Sequence, residues 1–261
     1  MDSMHLGAFR AIRRTFRNWP TVILARTGLK SYPVTGRLRA GGEVELTRNG
    51  QLMLWAFGCR ALPDGSAWIP FGEREVHLEG GFAFSTYETF FHGDYALLPV
   101  EGRTVVDLGA SIGDTPLYFS LRGARRVICF EKDPERYATL TANVERNRPN
   151  SVTPRLGAIT ELASIVREYR IDEAVLKMDI EGDEERVLDT TPPEDLRRFT
   201  HMAMEYHRGP EHCRAALERL GYEVKTTRPR HVNGTYQGFL YAVRREPLSS
   251  PGDPGRVGSP S

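Results

Sequence analysis

Leu6, Phe9, Ile12, Phe16 and Trp19 recur at three- and four-residue steps, and Arg10, Arg13, Arg14 and Arg17 fill positions between them. That spacing predicts an amphipathic helix with an apolar stripe and a basic face. Further on, Glu43–Leu46 and Gln51–Phe57 flank Thr47-Arg48-Asn49-Gly50. Asn-Gly between two short apolar segments is the strongest local hairpin signal, so this stretch predicts a β-hairpin. Trp68-Ile69-Pro70-Phe71 and Glu75–Leu78 read as two more extended pieces. Residues 1–95 are therefore expected to form a cap of helix and hairpin.

From about residue 100 the pattern changes to alternating strand and helix. Thr104–Leu108, Val127–Phe130, Val175–Met178, His201–Glu205 and Phe239–Val243 are apolar runs of strand length. Helical patterns at Asp114–Arg122, Pro134–Asn147, Glu161–Tyr169, Glu184–Leu188 and Glu211–Leu220 separate them. Pro134 suits a first helical turn. Such alternation predicts a parallel sheet covered by helices on both faces, over residues 96–245. Gly221-Tyr222-Glu223-Val224 opens another strand, and Asn233-Gly234 is expected to turn the chain into a last, antiparallel one. Residues 246–261 hold four Pro, three Gly and four Ser, a composition that predicts disorder.

Composition adds limits. With 261 residues, 40 % hydrophobic and 26 % charged, the chain is that of an ordinary globular protein. A net charge of +1 argues against a chain-wide nucleic-acid surface. The charge is uneven, however: residues 1–42 carry eight Lys/Arg and a single acid, Asp2, for a local +7, which leaves the rest at about −6. The basic stripe has two readings: a platform for phosphate, RNA or a membrane surface, or a docking helix whose arginines are simply solvated. Of the 35 basic residues 31 are Arg, an excess to which no function attaches. Cys59, Cys129 and Cys213 are dispersed and odd in number, which suits a reducing compartment better than a disulfide framework. The longest early apolar run, Val22–Ala25, is too short for a signal peptide or a membrane span, so a cytoplasmic location is expected.

The densest chemistry lies in Val105-Val106-Asp107-Leu108-Gly109-Ala110-Ser111-Ile112-Gly113-Asp114, a strand, a glycine turn and a helix start. Gly109, Ala110 and Gly113 would let backbone approach a ligand at the carboxyl end of the strand. A dinucleotide fingerprint lacks its middle glycine here, and Asp107 would repel a pyrophosphate. S-Adenosylmethionine carries an ammonium and a sulfonium and no phosphate, so it tolerates that acid. Glu131, at the tip of the next strand, stands where a carboxylate holds a ribose diol, with Lys132 beside it.

These residues bring a family into view. Val105–Asp114, Phe130-Glu131-Lys132-Asp133-Pro134, Leu176-Lys177-Met178-Asp179-Ile180-Glu181-Gly182 and Met204-Glu205-Tyr206-His207 together resemble the FkbM family of class I S-adenosylmethionine-dependent methyltransferases, over about Glu101 to Tyr222. Ser111 stands where Asn is more usual in that family, and Lys132 where it tends to have Pro. The resemblance implies an α/β, Rossmann-like seven-stranded methyltransferase sheet, mostly parallel with its last strand antiparallel. It also implies methyl transfer, most often to oxygen, with S-adenosyl-L-methionine as cofactor. It does not name the acceptor.

Acceptor-side residues should come from the ends of the fourth and fifth strands: Asp179 and Glu181, Glu205 and His207. Three readings stay open. Asp179 or His207 takes a proton from a hydroxyl; Asp179 and Glu205 hold a divalent cation; or the acids serve structure, with Asp179 paired to Lys177. The loop Asp179-Ile180-Glu181-Gly182 lacks the Pro-Pro-aromatic sequence of amine and nucleobase methyltransferases. That favours O-methylation of a small molecule over the alternatives of an RNA substrate or a non-catalytic binding module. Tyr87 and His92, on the segment leading into the cofactor domain, could close over the pocket as a lid. His77, His201 and His212 read as packing or surface histidines, and Asn233-Gly234-Thr235 as a hairpin turn despite its match to a glycosylation sequon.

Overall fold

A computed structural model describes residues 3–62, 64–232 and 234–245. The expected disorder of 246–261 and the Asn233 half of the last turn fall outside the described residues. The chain opens with α1 (Ser3–Thr15) and α2 (Trp19–Arg26), followed by β1 (Val34–Arg37) and β2 (Glu43–Leu46). Next come α3 (Asn49–Ala56), β3 (Arg60–Ala61), β4 (Ala67–Phe71), β5 (Arg74–Leu78), α4 (Phe84–Tyr87) and a π-helical turn at Glu88–His92.

Part of the predicted stripe faces a core: Ile12 and Phe16, joined by Ala8, are buried in a cluster with Val22, Leu46, Leu52 and Leu54, while Phe9 is exposed, as are Arg10, Arg13, Arg14 and Arg17. The helix ends at Thr15, so Trp19 belongs to α2.

The hairpin expected around Asn49-Gly50 is not formed. Gln51 to Ala56 is a run of good helix formers, and it folds as α3. Gln51 Oε1 accepts from the Thr47 N–H at 3.1 Å and its hydroxyl at 2.7 Å, which closes the start of that helix. Gly50 is needed for packing, because a Cβ there would meet Phe84 at 3.1 Å. β2 pairs instead with β1. The extended pieces near residues 68 and 75 do pair, as β4 and β5.

The second half contains β6 (Thr104–Leu108), α5 (Asp114–Leu121), β7 (Arg126–Glu131), α6 (Pro134–Asn147), β8 (Val152–Leu156), α7 (Ala163–Tyr169) and β9 (Ala174–Met178). It continues through α8 (Glu184–Thr190), α9 (Pro193–Leu196), β10 (Phe199–Tyr206), α10 (Glu211–Arg219), β11 (Tyr222–Thr226), β12 (Arg230–Val232) and β13 (Thr235–Arg244). The main sheet has the order β11-β13-β10-β9-β6-β7-β8, with β12 paired to β13 off that path. β13 is antiparallel to both its neighbours, and the pairings from β10 to β8 are parallel. This is a Rossmann-like α/β fold, with the antiparallel last strand as expected.

Alternation along the strands divides the core. Val106, Leu108, Ile128, Leu176 and Met204 face the helices α7, α8 and α10. Val105, Val127, Cys129, Val175 and Ala203 face the other way, toward Tyr118, Phe119 and Leu140. The chain order reverses between β6 and β9, so a ligand crevice belongs at their carboxyl ends. The cap reaches that crevice through two asparagines one turn apart on α6. Asn147 exchanges hydrogen bonds with the backbone of His77, and Asn143 does the same with Glu79, like an added strand.

Candidate active site

A cavity of about 350 Å³ opens at the carboxyl ends of β6, β7, β8 and β9. That volume suits a small-molecule cofactor. Leu108, Ile112, Phe130, Ile159 and Ile180 supply apolar wall, and Glu131, Lys132, Arg136 and Asp179 supply charge. Gly80, Ala83 and Ser85 close it from the cap side; Ser85 opens the segment expected to cover the pocket, and Gly80 and Ala83 were not anticipated.

Glu131 lines this cavity and is 4 % exposed. Its Oε2 accepts from the Ser111 N–H and its Oε1 from the Asp133 N–H, both at 2.8 Å. Each carboxylate oxygen keeps capacity for a further donor, so the pair can still receive a diol. The residues fit the adenosyl part of S-adenosylmethionine: an oriented carboxylate among apolar walls, with no phosphate cradle. Gly109 also lines the cavity, and its φ of +79° and the Asp179 carbonyl, 1.7 Å from where a Cβ would stand, admit only glycine.

Four other residues expected at the cofactor do not line this cavity. Ala110 is fully buried and does not reach the cavity. Gly113, with φ +95°, caps α5 against Leu140 and likewise shapes the turn from behind. Tyr87 is packed in the cap core against Phe57 and Phe84, so it is no lid over the cavity. Asp107 is the fourth. It is a direct register partner of Lys177, with side chains on the same face of the sheet, and neither is open to solvent. Its Oδ1 lies 3.1 Å from Lys177 Nζ, and its Oδ2 accepts from Thr115 at 2.6 Å. Lys177 also donates to the Leu108 and Gly109 carbonyls, at 3.2 and 2.6 Å. Asp107 thus acts through Lys177 on the glycine turn and does not line the cavity. Lys177 is consequently not Asp179's ion-pair partner.

The acceptor-side candidates do come together. Asp179, Glu205 and His207 place one ligand-type atom each within 4.8 Å of one another. β9 and β10 are in register up to Met178 and Met204, which sets the next residues, Asp179 and Glu205, side by side. His207 Nδ1 lies 3.2 Å from Glu184 Oε1, and its Nε2 lies 3.6 Å from Glu181 Oε2. Glu181 stands exposed at the cavity rim. The contact with the Glu184 carboxylate pushes the His207 imidazole up to about 9 against its own burial, with help from the charges of Glu205 and Asp179. Burial raises the Asp179 carboxyl although Lys177 and His207 oppose it. Burial and the Asp179 charge push Glu205 up to about 7. Glu184 was missed as a candidate; its carboxylate also accepts from the Ile180 and Gly182 N–H groups and so fixes the loop after β9.

Among the described residues no helix is long and apolar enough to cross a membrane. No family model matches the chain, and no curated protein matches it. Solved structures do match. One is a precorrin-6y C5,15-methyltransferase from Geobacter metallireducens, 15 % identical over 55 % of this chain and 82 % of that chain, with a TM-score of 0.42. M. jannaschii TYW2 in complex with AdoMet is 17 % identical over 70 % of this chain and 87 % of that one, at 0.47. Trm5b from Pyrococcus abyssi is 15 % identical over 70 % of this chain and 57 % of that one, at 0.48.

Proposed function

We propose that this protein is an S-adenosylmethionine-dependent methyltransferase acting on a hydroxyl of a small molecule such as a sugar, lipid or natural product. The four sequence blocks that resemble the FkbM family support that reading. The observation that carries it is Glu131, a buried carboxylate aimed into a mostly apolar cavity that adjoins the acids Asp179 and Glu205. When bound, the cofactor supplies a methyl group activated by its sulfonium. The chain then has to hold the acceptor oxygen in line with that methyl group, exclude water and accept the hydroxyl proton. Asp179 and Glu205 are the groups placed for it. A carboxyl at about 7, as at Glu205, is matched to proton abstraction near neutral pH. His207 is protonated there, so it balances the acids' charge and does not take the proton.

A divalent cation on Asp179, Glu205 and His207 is the competing arrangement. Glu184 Oε1 already faces His207 Nδ1 at 3.2 Å, a contact that ties the imidazole to an acid outside that triad. Full turnover in excess EDTA is expected; loss of turnover restored by Mg²⁺ would reverse the assignment.

The exposed arginines of α1 favour a second reading, RNA methylation, against which stands the loop 179–182 without its proline and aromatic. The test is transfer of tritium from labelled cofactor into fractionated cell extract. Label is expected in a small-molecule fraction, in alkali-stable linkage. Label in RNA, with a salt-dependent shift of tRNA that vanishes when Arg10, Arg13, Arg14 and Arg17 are all changed to Ala, would establish the second reading instead. The three free, separate cysteines agree with a cytoplasmic setting.

A further inference from the structure

Past Gly109, Ser111 and Asp179, where it meets the cofactor cavity, lies a second chamber of about 60 Å³. The carboxyls of Glu88, Asp94, Asp179 and Glu205 and the rings of Tyr95 and Phe239 form much of its wall. The fold assembles them from three directions. Glu205 and Phe239 are register partners on β10 and β13, Asp179 follows β9, and Glu88 and Asp94 bracket the π-helical turn.

Acids outnumber cations in this wall, where Lys177 is the one lysine among the described residues and Arg230 acts on Glu88 and Glu205 from beside it. Lys177 is committed to Asp107 and two carbonyls, with its ammonium 5.8 Å from the Tyr95 ring centroid. Asp114 accepts from Thr89. Asp94 is only 6 % exposed, and while its Oδ1 pairs with His92, its Oδ2 has no hydrogen-bond partner among the described residues. A buried carboxylate oxygen without a partner is costly and needs a donor from somewhere. Glu88 responds to the same crowding, pushed up to about 8 by burial and by the charges of Asp94 and Glu205. Tyr95 and Phe239 meet edge to face, centroids 5.8 Å apart. Aromatic rings and carboxylates around a small enclosed space form the environment that retains an organic ammonium ion.

We propose that the methyl acceptor is an amino alcohol, its protonated amine seated between Glu88, Asp94 and the rings of Tyr95 and Phe239, and its hydroxyl held at Asp179 and Glu205. This rests on the methyl-transfer reading of the same site and adds the chemical class of the substrate. The methyl carbon leaves sulfur with the S–C electron pair staying on sulfur. It bonds to the acceptor oxygen, whose proton passes to the carboxylate, and the amine is unchanged.

The test is calorimetric titration of the full-length chain, saturated with S-adenosylhomocysteine in EDTA, with ethanolamine and with its neutral counterpart ethylene glycol. Ethanolamine is expected to bind saturably and glycol at least tenfold more weakly. Asp94→Asn and Phe239→Leu should each weaken ethanolamine at least fivefold while leaving S-adenosylhomocysteine affinity within twofold. Equal binding of the two probes, no saturable ethanolamine binding, or unchanged ethanolamine affinity in both variants would overturn the proposal. So would ethanolamine binding only without S-adenosylhomocysteine, which would give the chamber to the cofactor's own ammonium. So too would Mg²⁺ binding in chelator-free buffer where ethanolamine does not bind. Failure of S-adenosylhomocysteine itself to bind would instead refute the methyltransferase reading, and the ethanolamine comparison would then be made on the unliganded chain.

Discussion

Asp107 and Lys177 face each other across β6 and β9 as register partners, Oδ1 and Nζ 3.1 Å apart, with neither side chain reaching solvent. Burial disfavours the charge on Lys177, but Asp107 and then Asp179 outweigh it and hold the ammonium above its usual range. Removing the cation would strand a carboxylate in the core beside the glycine turn. Lys177→Met is therefore expected to cost about 3–5 kcal/mol, the usual penalty for breaking a buried pair. The double variant Lys177→Met with Asp107→Leu, which removes both charges, should be more stable than Lys177→Met alone. Urea unfolding of the three proteins measures this; a double variant no more stable than the single one would show that the pair is not coupled.

Glu131 should set cofactor affinity. Glu131→Gln keeps the shape and one acceptor for the Ser111 or Asp133 N–H, but loses the charge and one strong acceptor for a diol. Calorimetry with S-adenosylhomocysteine should show at least tenfold weaker binding, about 1.4 kcal/mol, together with a lower unfolding midpoint, because the new NH2 faces one of those N–H groups and leaves it without an acceptor. Asp107→Ala should differ, losing stability first, because Asp107 is walled off from the cavity. Unchanged affinity in Glu131→Gln would remove it from the cofactor site.

How much of this could be read from the chain follows from where the signals lie. Thr104–Leu108 and Pro134–Asn147 were legible to the residue because a buried strand and a proline-started, Asp133-capped helix carry strong local patterns. β8 escaped: Thr153, Pro154 and Arg155 suit an edge strand and interrupt the apolar run. The hairpin at Asn49-Gly50 failed because the dipeptide outweighed the helix-forming run after it. Glu131, Asp179 and Glu205 were found because strand ends define the crevice. Spacing alone cannot tell which of two acids lines the cavity: Glu131 does, and Asp107 is buried against Lys177. Ser85 and Glu88 lie on the segment expected to cover the pocket, but Asp94 reaches the site only through the docking of the cap, which has no local signature.

His207 and Glu184 predict a definite pH dependence of stability. Burial works against ionised Glu184, but His207 and the backbone N–H groups outweigh it, so its carboxyl is held below the unfolded 4.5. His207 is raised from 6.5 to about 9. The contribution from Glu184 is present above pH 4.5 and disappears as pH falls through the lowered value. The contribution from His207 is complete below pH 6.5 and disappears as pH rises through about 9. Melting in EDTA should therefore show the largest gap between parent and His207→Gln from about pH 5 to 6.5, closing above about pH 9. A gap constant from pH 6 to 10 would mean that the imidazole is neutral throughout.

Asn143 on α6 couples the cap to the cofactor cavity. It is fully buried. Its Oδ1 accepts from the Glu79 N–H at 2.7 Å, and its Nδ2 donates to the Glu79 and Ile112 carbonyls at 3.2 and 2.8 Å. Gly80, next in the chain, and Ile112 both line the cavity. Asn143→Ala leaves these backbone groups without partners, which should cost about 1–3 kcal/mol. It should also loosen two cavity walls and weaken S-adenosylhomocysteine binding. Asn147 makes the equivalent bonds to His77, farther from the cavity, at 3.0 and 2.7 Å. Asn147→Ala should thus lower the unfolding midpoint with little change in affinity. Equal losses of affinity in the two variants, measured by calorimetry well below their melting temperatures, would show that the clamp acts on the fold as a whole and not on the cofactor wall.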